Sequence, residues 1–398
     1  DASGVGKEMH ESLTKPLFHG RLLDNMRILE RIQKRIYPNR QFLAGDGTPI
    51  VELQSEIDMG TRYMRFATAA YGTQMIDSAL DEVPSPECIA SAKKKIAHHA
   101  KIDEEDIRYL DARPGGDMNI LRHFIAVHHE SRSMVLAIRG TLSVSGALID
   151  LNAYDCQFNG GVAHEGIANM ADNIWKASGS TILELFKEKG LTNYRFVITG
   201  HSLGAGTACL LNIKCHNEKL LGDRPVRCYG FAPPPVYKIS TNAMVTKKAV
   251  EAAMNNCICY IHGNDCVPFL SVFSVRRLSA SLDAVDNVTE DMFLPTRVKM
   301  AVGIESVPET LVRSVEEAPR RIREERGGSR LIIPAKHVLW LFKTRNRDYI
   351  GTSCDPHTLS LLEIAVRLEH LEMTTDHMPE CYEDALDALT SHNGLPQQ

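Results

Sequence analysis

Blocks of apolar residues alternate with polar ones along most of the chain, and their lengths predict a layered fold of strands and helices. Two β-rich runs around the polar turn HHESRS predict a hairpin within residues 119–140. Further strands are expected at 196–199, 227–231, 258–261 and 331–340, and helices at about 166–188, 204–217, 242–254 and 357–370. This alternation indicates a largely parallel sheet flanked by crossover helices, which is the α/β class.

A basic amphipathic helix is predicted over residues 17–36, ahead of a second helix at about 52–70. Apolar residues recur at helical spacing at positions 22, 26, 29, 32 and 36, with Gln33 as an alternative to Ile32, and basic residues cover the remaining surface. Such a helix either docks on its own protein or lies on a membrane. Docking is the favoured interpretation, because basic helices are common on protein surfaces.

The stretch 279–330 interrupts the alternation of predicted strands and helices. It contains VEEAPRRIREERGGSR, a charged run with paired glycines, between two apolar segments. We interpret it as a solvated surface insertion and keep a regulatory loop as the alternative.

Composition and charge narrow the classes of function. The 398 residues are 43% hydrophobic and 24% charged, which is enough for a large core. A net charge of −5 disfavours nucleic acid as a partner. No stretch approaches the ~20 apolar residues of a membrane helix. The start, DASGVGKEMHES, is neither a signal peptide nor an initiator methionine, so we expect a fragment or a processed product.

The ten cysteines are scattered through predicted strands and helices. They form no CxxC pairs and lack the Cys/His spacing of metal sites. We therefore expect buried free thiols in a reducing compartment, and no metal site.

The stretch FVITGHSLGAGTA, residues 196–208, places a serine where a predicted strand meets a predicted helix. Gly200, His201, Ser202 and Gly204 fit G-x-S-x-G in the context that this motif requires. The glycines let strand and helix approach at a strained turn, which holds the hydroxyl of Ser202 above the sheet. A phosphate loop is the alternative, but no lysine follows and the glycine spacing differs. We predict that Ser202 is a nucleophile.

A serine nucleophile needs a base and an orienting acid, which follow in the order Ser, Asp, His in this architecture. Asp265 is the best acid, because it follows the β-run CICYIH at the carboxyl edge of the sheet. The histidines beyond it are His337, His357, His370, His377 and His392. Position alone favours His377, in a loop before a last helix, and leaves the others open.

The developing oxyanion needs two donors. Leu203, the residue after the nucleophile, offers a backbone N–H. Thr141, at the end of the predicted strand MVLAIRGT, offers a second N–H and a hydroxyl. Arg139, two residues earlier, is expected to fix the strand end rather than to bind substrate.

Together these segments resemble the class 3 lipases and, within them, the sn-1-specific diacylglycerol lipases. The matching segments cover most of residues 60–390 in the family order: AAYG at 69–72, HFIAVHHESRSMVLAIRGTLS at 123–143, FVITGHSLGAGTA, CYGFAPPPV at 228–236, HGNDCVPFLSVFSVRRL at 262–278 and TDHMPECY at 375–382. GHSLGAG with an upstream IRGTLS is specific for the superfamily.

The resemblance implies an α/β-hydrolase fold over residues 61–392, with the charged insertion at about 279–330 and an N-terminal helical extension at 1–60. It implies Ser202, Asp265 and His377 as the triad, Thr141 and Leu203 as the oxyanion hole, and no cofactor. His164 then belongs to a structural turn. Animal diacylglycerol lipases carry membrane spans before the catalytic domain that are absent here, and their insertion does not match, so anchoring and regulation are not carried over.

We therefore expect a serine lipase that converts diacylglycerol to monoacylglycerol and fatty acid. Its partner would be a glycerolipid at a membrane or lipid-droplet surface, approached from the cytosolic side as a peripheral protein. A triacylglycerol lipase, a phospholipase A1 and a catalytically silent lipid-binding scaffold remain as alternatives. Residues 142–158, after the oxyanion strand, are either an interfacial lid or a helix packed on the core.

Overall fold

A computed structural model of the chain describes residues 21–36, 53–74, 84–113, 120–141, 155–240, 243–322, 330–343, 348–368 and 372–391. The chain divides into two compact units, each built from segments that are separate in sequence. The larger unit comprises Ala44–Phe269, Ser329–Leu362 and Thr374–Gln398, and the smaller unit comprises Asp1–Leu43, Leu270–Gly328 and Glu363–Met373.

The larger unit contains the strands of two sheets. In chain order they are β1 (Ile107–Leu110), β2 (His123–His128), β3 (Ser133–Ile138), β4 (Asp155–Phe158), β5 (Gly161–His164), β6 (Arg195–His201), β7 (Val226–Phe231), β8 (Tyr237–Ile239), β9 (Cys257–His262), β10 (His337–Lys343) and β11 (Tyr349–Cys354). The main sheet has the order β1-β2-β3-β6-β7-β9-β10-β11, and β4, β5 and β8 form a small second sheet. Strands β3, β6, β7, β9 and β10 run parallel.

The helices of the described chain are α1 (Leu22–Ile36), α2 (Gln54–Ala69), α3 (Pro86–Ala100), α4 (Glu165–Leu185), α5 (Leu203–Asn217), α6 (Met244–Asn255), α7 (Val272–Thr289), α8 (Leu294–Val302), α9 (Glu309–Arg321), α10 (Pro356–Leu359), α11 (Glu372–Thr375) and α12 (Pro379–Ser391). Helices α4, α5 and α6 are crossovers between the parallel strands, as the alternating pattern predicts. No helix among the described residues is long and apolar enough to cross a membrane.

Aromatic stacking joins α2 to the sheet of the larger unit. The ring of Tyr63 on α2 stacks on Tyr229 of β7 with centroids 4.6 Å apart, and Phe231 stacks on Tyr260 of β9 at 4.8 Å. Helix α5 is buried along almost its whole length and is apolar on all sides, as expected of a helix enclosed in the core. The predicted α/β-hydrolase fold, a largely parallel sheet with a serine corner between β6 and α5, is confirmed.

The smaller unit is helical and includes α1, α7, α8 and α9. The apolar face of α1 is buried in its core through Ile28, Leu29 and Ile32, against Val285 of α7 and Leu311 of α9. Most of the described part of 279–330 is therefore helix with its own core, not a solvated excursion as its charge suggested. Most charged residues of these helices lie on their outer faces, and Arg297 of α8 is a buried exception.

Two predicted elements differ in extent. The strand expected at 331–340 begins only at His337, because Pro334 has no N–H to pair and Ile332 makes an isolated bridge to Tyr237. The helix expected at 357–370 stops at Leu359. Farther along, the side-chain amide of Gln33 donates to the backbone carbonyl of Ile364 and accepts from the backbone N–H of Val366. These bonds take the place of the backbone hydrogen bonds of a helix.

Candidate active site

The sharp corner between β6 and α5 carries Ser202. Its backbone angles are φ 58° and ψ −127°, a region that L-residues rarely occupy. Gly200 and Gly204 make the corner possible: a Cβ on Gly204 would lie 2.3 Å from the carbonyl oxygen of Ile138, and one on Gly200 would lie 2.6 Å from the carbonyl carbon of Gly204. The motif glycines therefore serve the close approach of strand and helix.

Three side chains from distant parts of the sequence meet at this corner. Nε2 of His377 lies 3.0 Å from Oγ of Ser202, and Nδ1 of the same ring lies 3.0 and 2.9 Å from the two carboxylate oxygens of Asp265. With the proton on Nδ1, the imidazole donates to the carboxylate and accepts from the serine hydroxyl. All three side chains are buried.

Two further donors hold the carboxylate of Asp265. The N–H of Val267 donates to Oδ1 over 2.9 Å, and the hydroxyl of Tyr382 on α12 donates to Oδ2 over 2.6 Å. Burial raises the pKa of Tyr382 well above its ordinary value, so the phenol stays protonated and available as a donor. Tyr382 is the last residue of the segment TDHMPECY, and its position in the sequence gives no sign of this contact.

The loop that carries His377 is tied to the end of β9. The carboxylate of Asp376 accepts the N–H of Asn264 over 2.7 Å, and Nδ1 of His262 lies 3.2 Å from the Asp376 carbonyl oxygen. Gly263 has φ 48°, and a Cβ there would lie 2.3 Å from the Asp376 carboxylate. Asp376 therefore links the base loop to the strand end that precedes the acid.

The start of α5 and the end of β3, which carry the predicted oxyanion donors Leu203 and Thr141, both adjoin the corner. Leu203 is the first residue of α5, where an N–H has no acceptor within the helix. Gly140 packs on the corner, since a Cβ there would lie 3.1 Å from Cβ of Ser202, and Thr141 follows it. Arg139 donates to Oγ1 of Thr73 over 3.1 Å, in keeping with the structural role predicted for it.

His201 is a buried support of the corner. Its Nδ1 lies 2.9 Å from the hydroxyl of Tyr71, and its ring lies against that of His377 with centroids 4.7 Å apart. Burial holds the pKa of His201 well below its ordinary value, so the ring is neutral near physiological pH. Tyr71 of the AAYG segment thus contacts His201, the residue that precedes the predicted nucleophile.

The other predicted candidates lie elsewhere or outside the described residues. His337 is the first residue of β10 and His357 lies in α10, while His164 caps the start of α4, as expected of a structural turn. His370 and His392 fall outside the described residues, as does the proposed lid except for its end, residues 155–158, which form β4.

Candidate metal ligands in the described part of the chain are limited to a buried thiol group. Cys209, Cys228 and Cys257 have sulfurs within 4.8 Å of one another, in the core between α5 and the sheet. Burial raises the pKa of the Cys228 thiol well above its ordinary value, whereas hydrogen bonds with the neighbouring thiols lower the pKa of Cys209. All ten cysteines are free.

Comparison with known proteins finds similarity to lipases. Residues 135–275 match the family described as Lipase (class 3). Diacylglycerol lipase-beta of Mus musculus is 29% identical over 258 residues, which cover 57% of this chain and 36% of the relative. The secreted mono- and diacylglycerol lipase A of Penicillium cyclopium is 30% identical over 161 residues, covering 40% of this chain and 49% of the relative.

The chain thus spans about a third of the mouse relative and about half of the fungal one. Among solved structures, the Rhizomucor miehei lipase propeptide complex aligns over 56% of this chain and 65% of its own, with a TM-score of 0.41 and 20% identity. Over residues 135–275 the chain is thus similar to the class 3 lipases, and the relatives that it resembles include diacylglycerol lipases.

Proposed function

We propose that this protein is a serine lipase that hydrolyses an acyl ester of a glycerolipid. The observation that carries the proposal is the hydrogen-bonded series from Ser202 through His377 to Asp265 at a strained strand-to-helix corner. Nucleophile, base and orienting acid in this order are what acyl transfer through a serine requires.

The reaction begins when Oγ of Ser202 attacks the ester carbonyl carbon and Nε2 of His377 takes the hydroxyl proton. The carbonyl oxygen becomes an oxyanion, for which the N–H of Leu203 and the groups of Thr141 are the proposed donors. Collapse breaks the bond to the glycerol oxygen, which leaves with the proton from His377. An acyl-enzyme on Ser202 remains.

Water completes the cycle. His377 takes a proton from water, the hydroxide oxygen attacks the acyl carbon, and the second collapse returns the proton to Ser202 as the fatty acid leaves. Asp265 stabilises the imidazolium in both halves of the cycle. This chemistry needs neither a metal nor an organic cofactor.

We propose diacylglycerol as the substrate, hydrolysed to monoacylglycerol and fatty acid. The names of the mouse and Penicillium relatives support this choice. Because a glycerolipid resides in lipid aggregates, we place the activity at a membrane or lipid-droplet surface, approached from the cytosolic side. Triacylglycerol lipase and phospholipase A1 activities use the same residues and differ only in the head group accepted.

The test uses diacylglycerol labelled separately at its two acyl positions, in mixed micelles, with the protein and its Ser202→Ala variant. Serine-dependent release of the sn-1 acyl chain supports the proposal. Serine-dependent release only from triacylglycerol or phospholipid keeps the mechanism and replaces the substrate. No release from any of these lipids, with a folded protein, favours the silent lipid-binding scaffold.

A further inference from the structure

Helix α8 of the smaller unit exposes a row of apolar side chains. Leu294, Val298 and Val302 are spaced four residues apart and so share one face, and the exposed residues Phe293 and Ile304 flank the helix at its two ends. Between 40% and 77% of each side chain is exposed. We call these five residues the apolar stripe.

The exposure does not come from a loosely packed helix. The opposite face of α8 is already buried through Arg297, Met300 and Ala301. The guanidinium of Arg297 donates to the side-chain oxygen of Asn25 and to the carbonyl of Arg21 on the α1 side. These contacts fix the helix with the apolar stripe directed outward.

Both ends of the stripe are also ordered. The carbonyl of Phe293 accepts the N–H groups of Thr296 and Arg297, and the carbonyl of Lys299 accepts that of Ile304 over 2.9 Å in a turn closed by Gly303. Gly303 has φ 90°, which suits a helix C-terminus of this kind. The protein thus holds five apolar side chains in water on a rigid support, which is unfavourable unless something covers them.

We infer that the apolar stripe is a docking surface that inserts into the headgroup region of an uncharged lipid surface. The inference rests on the proposed function, which requires the protein to reach a lipid aggregate. The stripe offers no hydrogen-bonding side chain, whereas a protein partner is usually met by about ten hydrogen bonds. Its five residues are also far fewer than the roughly 20–30 residues a side of a stable protein–protein interface.

The charges around the stripe argue for an uncharged surface. The exposed charges next to it on the chain are Lys299 against Glu290, Asp291 and Glu305. Arg31 of α1 lies against Gly303. Among these neighbours, all of them described by the structure, acidic side chains outnumber basic ones, so attachment depends on burial of the apolar side chains and is only weakly sensitive to salt.

The test measures binding to phosphatidylcholine vesicles that contain diacylglycerol, in the Ser202→Ala background so that the lipid persists. Leu294→Ser with Val298→Ser removes two inserted side chains, and we expect the dissociation constant to rise about 50-fold. The matched control is Met244→Ser with Val245→Ser, which removes two side chains on α6 that are 65% and 82% exposed. We expect this control to bind like its parent.

Hydrolysis of a water-soluble short-chain ester by proteins that retain Ser202 separates the two proposals. The stripe variant should hydrolyse it at the parental rate while losing vesicle binding. Equal vesicle binding by variant and parent, equal loss in the control, or a dimer that the stripe variant dissolves would overturn the inference. If the parent binds vesicles through the stripe yet hydrolyses no ester, the proposed function fails and the docking surface stands.

Discussion

At the scale of single residues, the carboxylate of Asp265 accepts the hydrogen bonds that hold the site together. It accepts from the imidazole of His377, the N–H of Val267 and the hydroxyl of Tyr382, and it is fully buried. A buried carboxylate needs such donors to stay ionised and in one orientation. The orientation of the base therefore depends on a tyrosine that does not itself reach the substrate.

Tyr382→Phe removes one donor from Asp265 and leaves the ring in place. We expect kcat for a soluble ester to fall about tenfold, which corresponds to ~1.4 kcal/mol and lies near the range for a hydrogen bond to a charged group. KM should not change, because Tyr382 positions the triad and does not bind substrate. Steady-state kinetics on the purified variant measure both constants.

The matched control is Tyr63→Phe, a buried tyrosine whose hydroxyl lies 3.0 Å from Oγ of Ser133 and makes no bond to the triad. It should lose stability without a comparable loss of kcat. Equal kcat values for Tyr382→Phe and the parent would show that the bond to Asp265 is dispensable.

The motif glycines allow a second prediction. In Gly204→Ala the new Cβ would meet backbone atoms of Ile138 and Arg139 at 2.3 and 2.9 Å, which side-chain motion cannot relieve. We expect a loss of about 3 kcal/mol of unfolding free energy together with most of the ester hydrolysis. Urea titration and a soluble-ester assay measure the two effects.

Gly206→Ala, two residues along the same helix, is the control. Its new Cβ would approach only side-chain atoms of Pro234 and Val236, at 3.2 Å and beyond, and alanine favours the helix. We expect near-parental stability. Equal tolerance of alanine at both positions would contradict the close-approach account of the corner.

Ser202 was predictable from sequence because strand, motif and helix are contiguous. The acid and the base were harder, because Asp265 and His377 are 112 residues apart and five histidines competed for the role. Position in the sequence favoured His377 but left the other histidines open as the base, and the family resemblance then pointed to His377. Tyr382 lies 117 residues from Asp265, and no local pattern signals that contact.

At the scale of elements, the basic amphipathic helix near the start of the chain had two interpretations: docking on its own protein or lying on a membrane. The apolar face of α1 is buried in the core of the smaller unit, which is the docked arrangement. The apolar face that is exposed to solvent lies on α8. Amphipathic periodicity located the apolar face of α1, but it does not state whether protein or lipid covers that face.

Leu29→Ala in α1 tests the docked arrangement. The side chain is fully buried, so we expect the smaller unit to lose about 3 kcal/mol and amide hydrogen exchange in α7 and α9 to accelerate about 100-fold. Leu23→Ala, at a position that is 65% exposed, should leave exchange unchanged. Equal exchange in both variants would mean that α1 is not part of this core.

The elements that depend on contacts with residues far away in the sequence were the least predictable. The pattern at 357–370 favours a helix, yet Gln33 takes the backbone groups of Ile364 and Val366, more than 300 residues away. Likewise, the charged residues of 279–330 suggested solvent exposure, although Leu311, Val312 and Val315 recur at helical spacing and are buried in the core of the smaller unit. Tertiary contacts decided both cases.

At the scale of the whole molecule, buried neutral histidines link stability to pH. Burial lowers the pKa of His123 and of His201 below the ordinary value of 6.5. The unfolded chain therefore binds protons near pH 6 that the folded protein does not, so stability is complete above pH 6.5 and falls as pH decreases. Between pH 6.5 and 5.5 each such histidine contributes a loss of up to about 1 kcal/mol.

His123→Gln tests this linkage, because glutamine keeps hydrogen-bonding capacity toward the Leu121 carbonyl and Ser178 but cannot titrate. Urea unfolding at pH 6.5 and 5.5 should show a smaller loss in the variant than in the parent, by about 1 kcal/mol. Identical losses would mean that His123 is protonated equally in both states.

The central claim, that Ser202 is the nucleophile of a serine hydrolase, is tested most directly by labelling with a fluorophosphonate. Its phosphorus takes the place of the ester carbonyl carbon, Oγ displaces fluoride, and the adduct is stable enough for peptide mapping by mass spectrometry. We predict one adduct per chain, on Ser202, and none in Ser202→Ala. A folded protein whose Ser202 remains unlabelled, or whose adduct maps to another residue, would contradict the account.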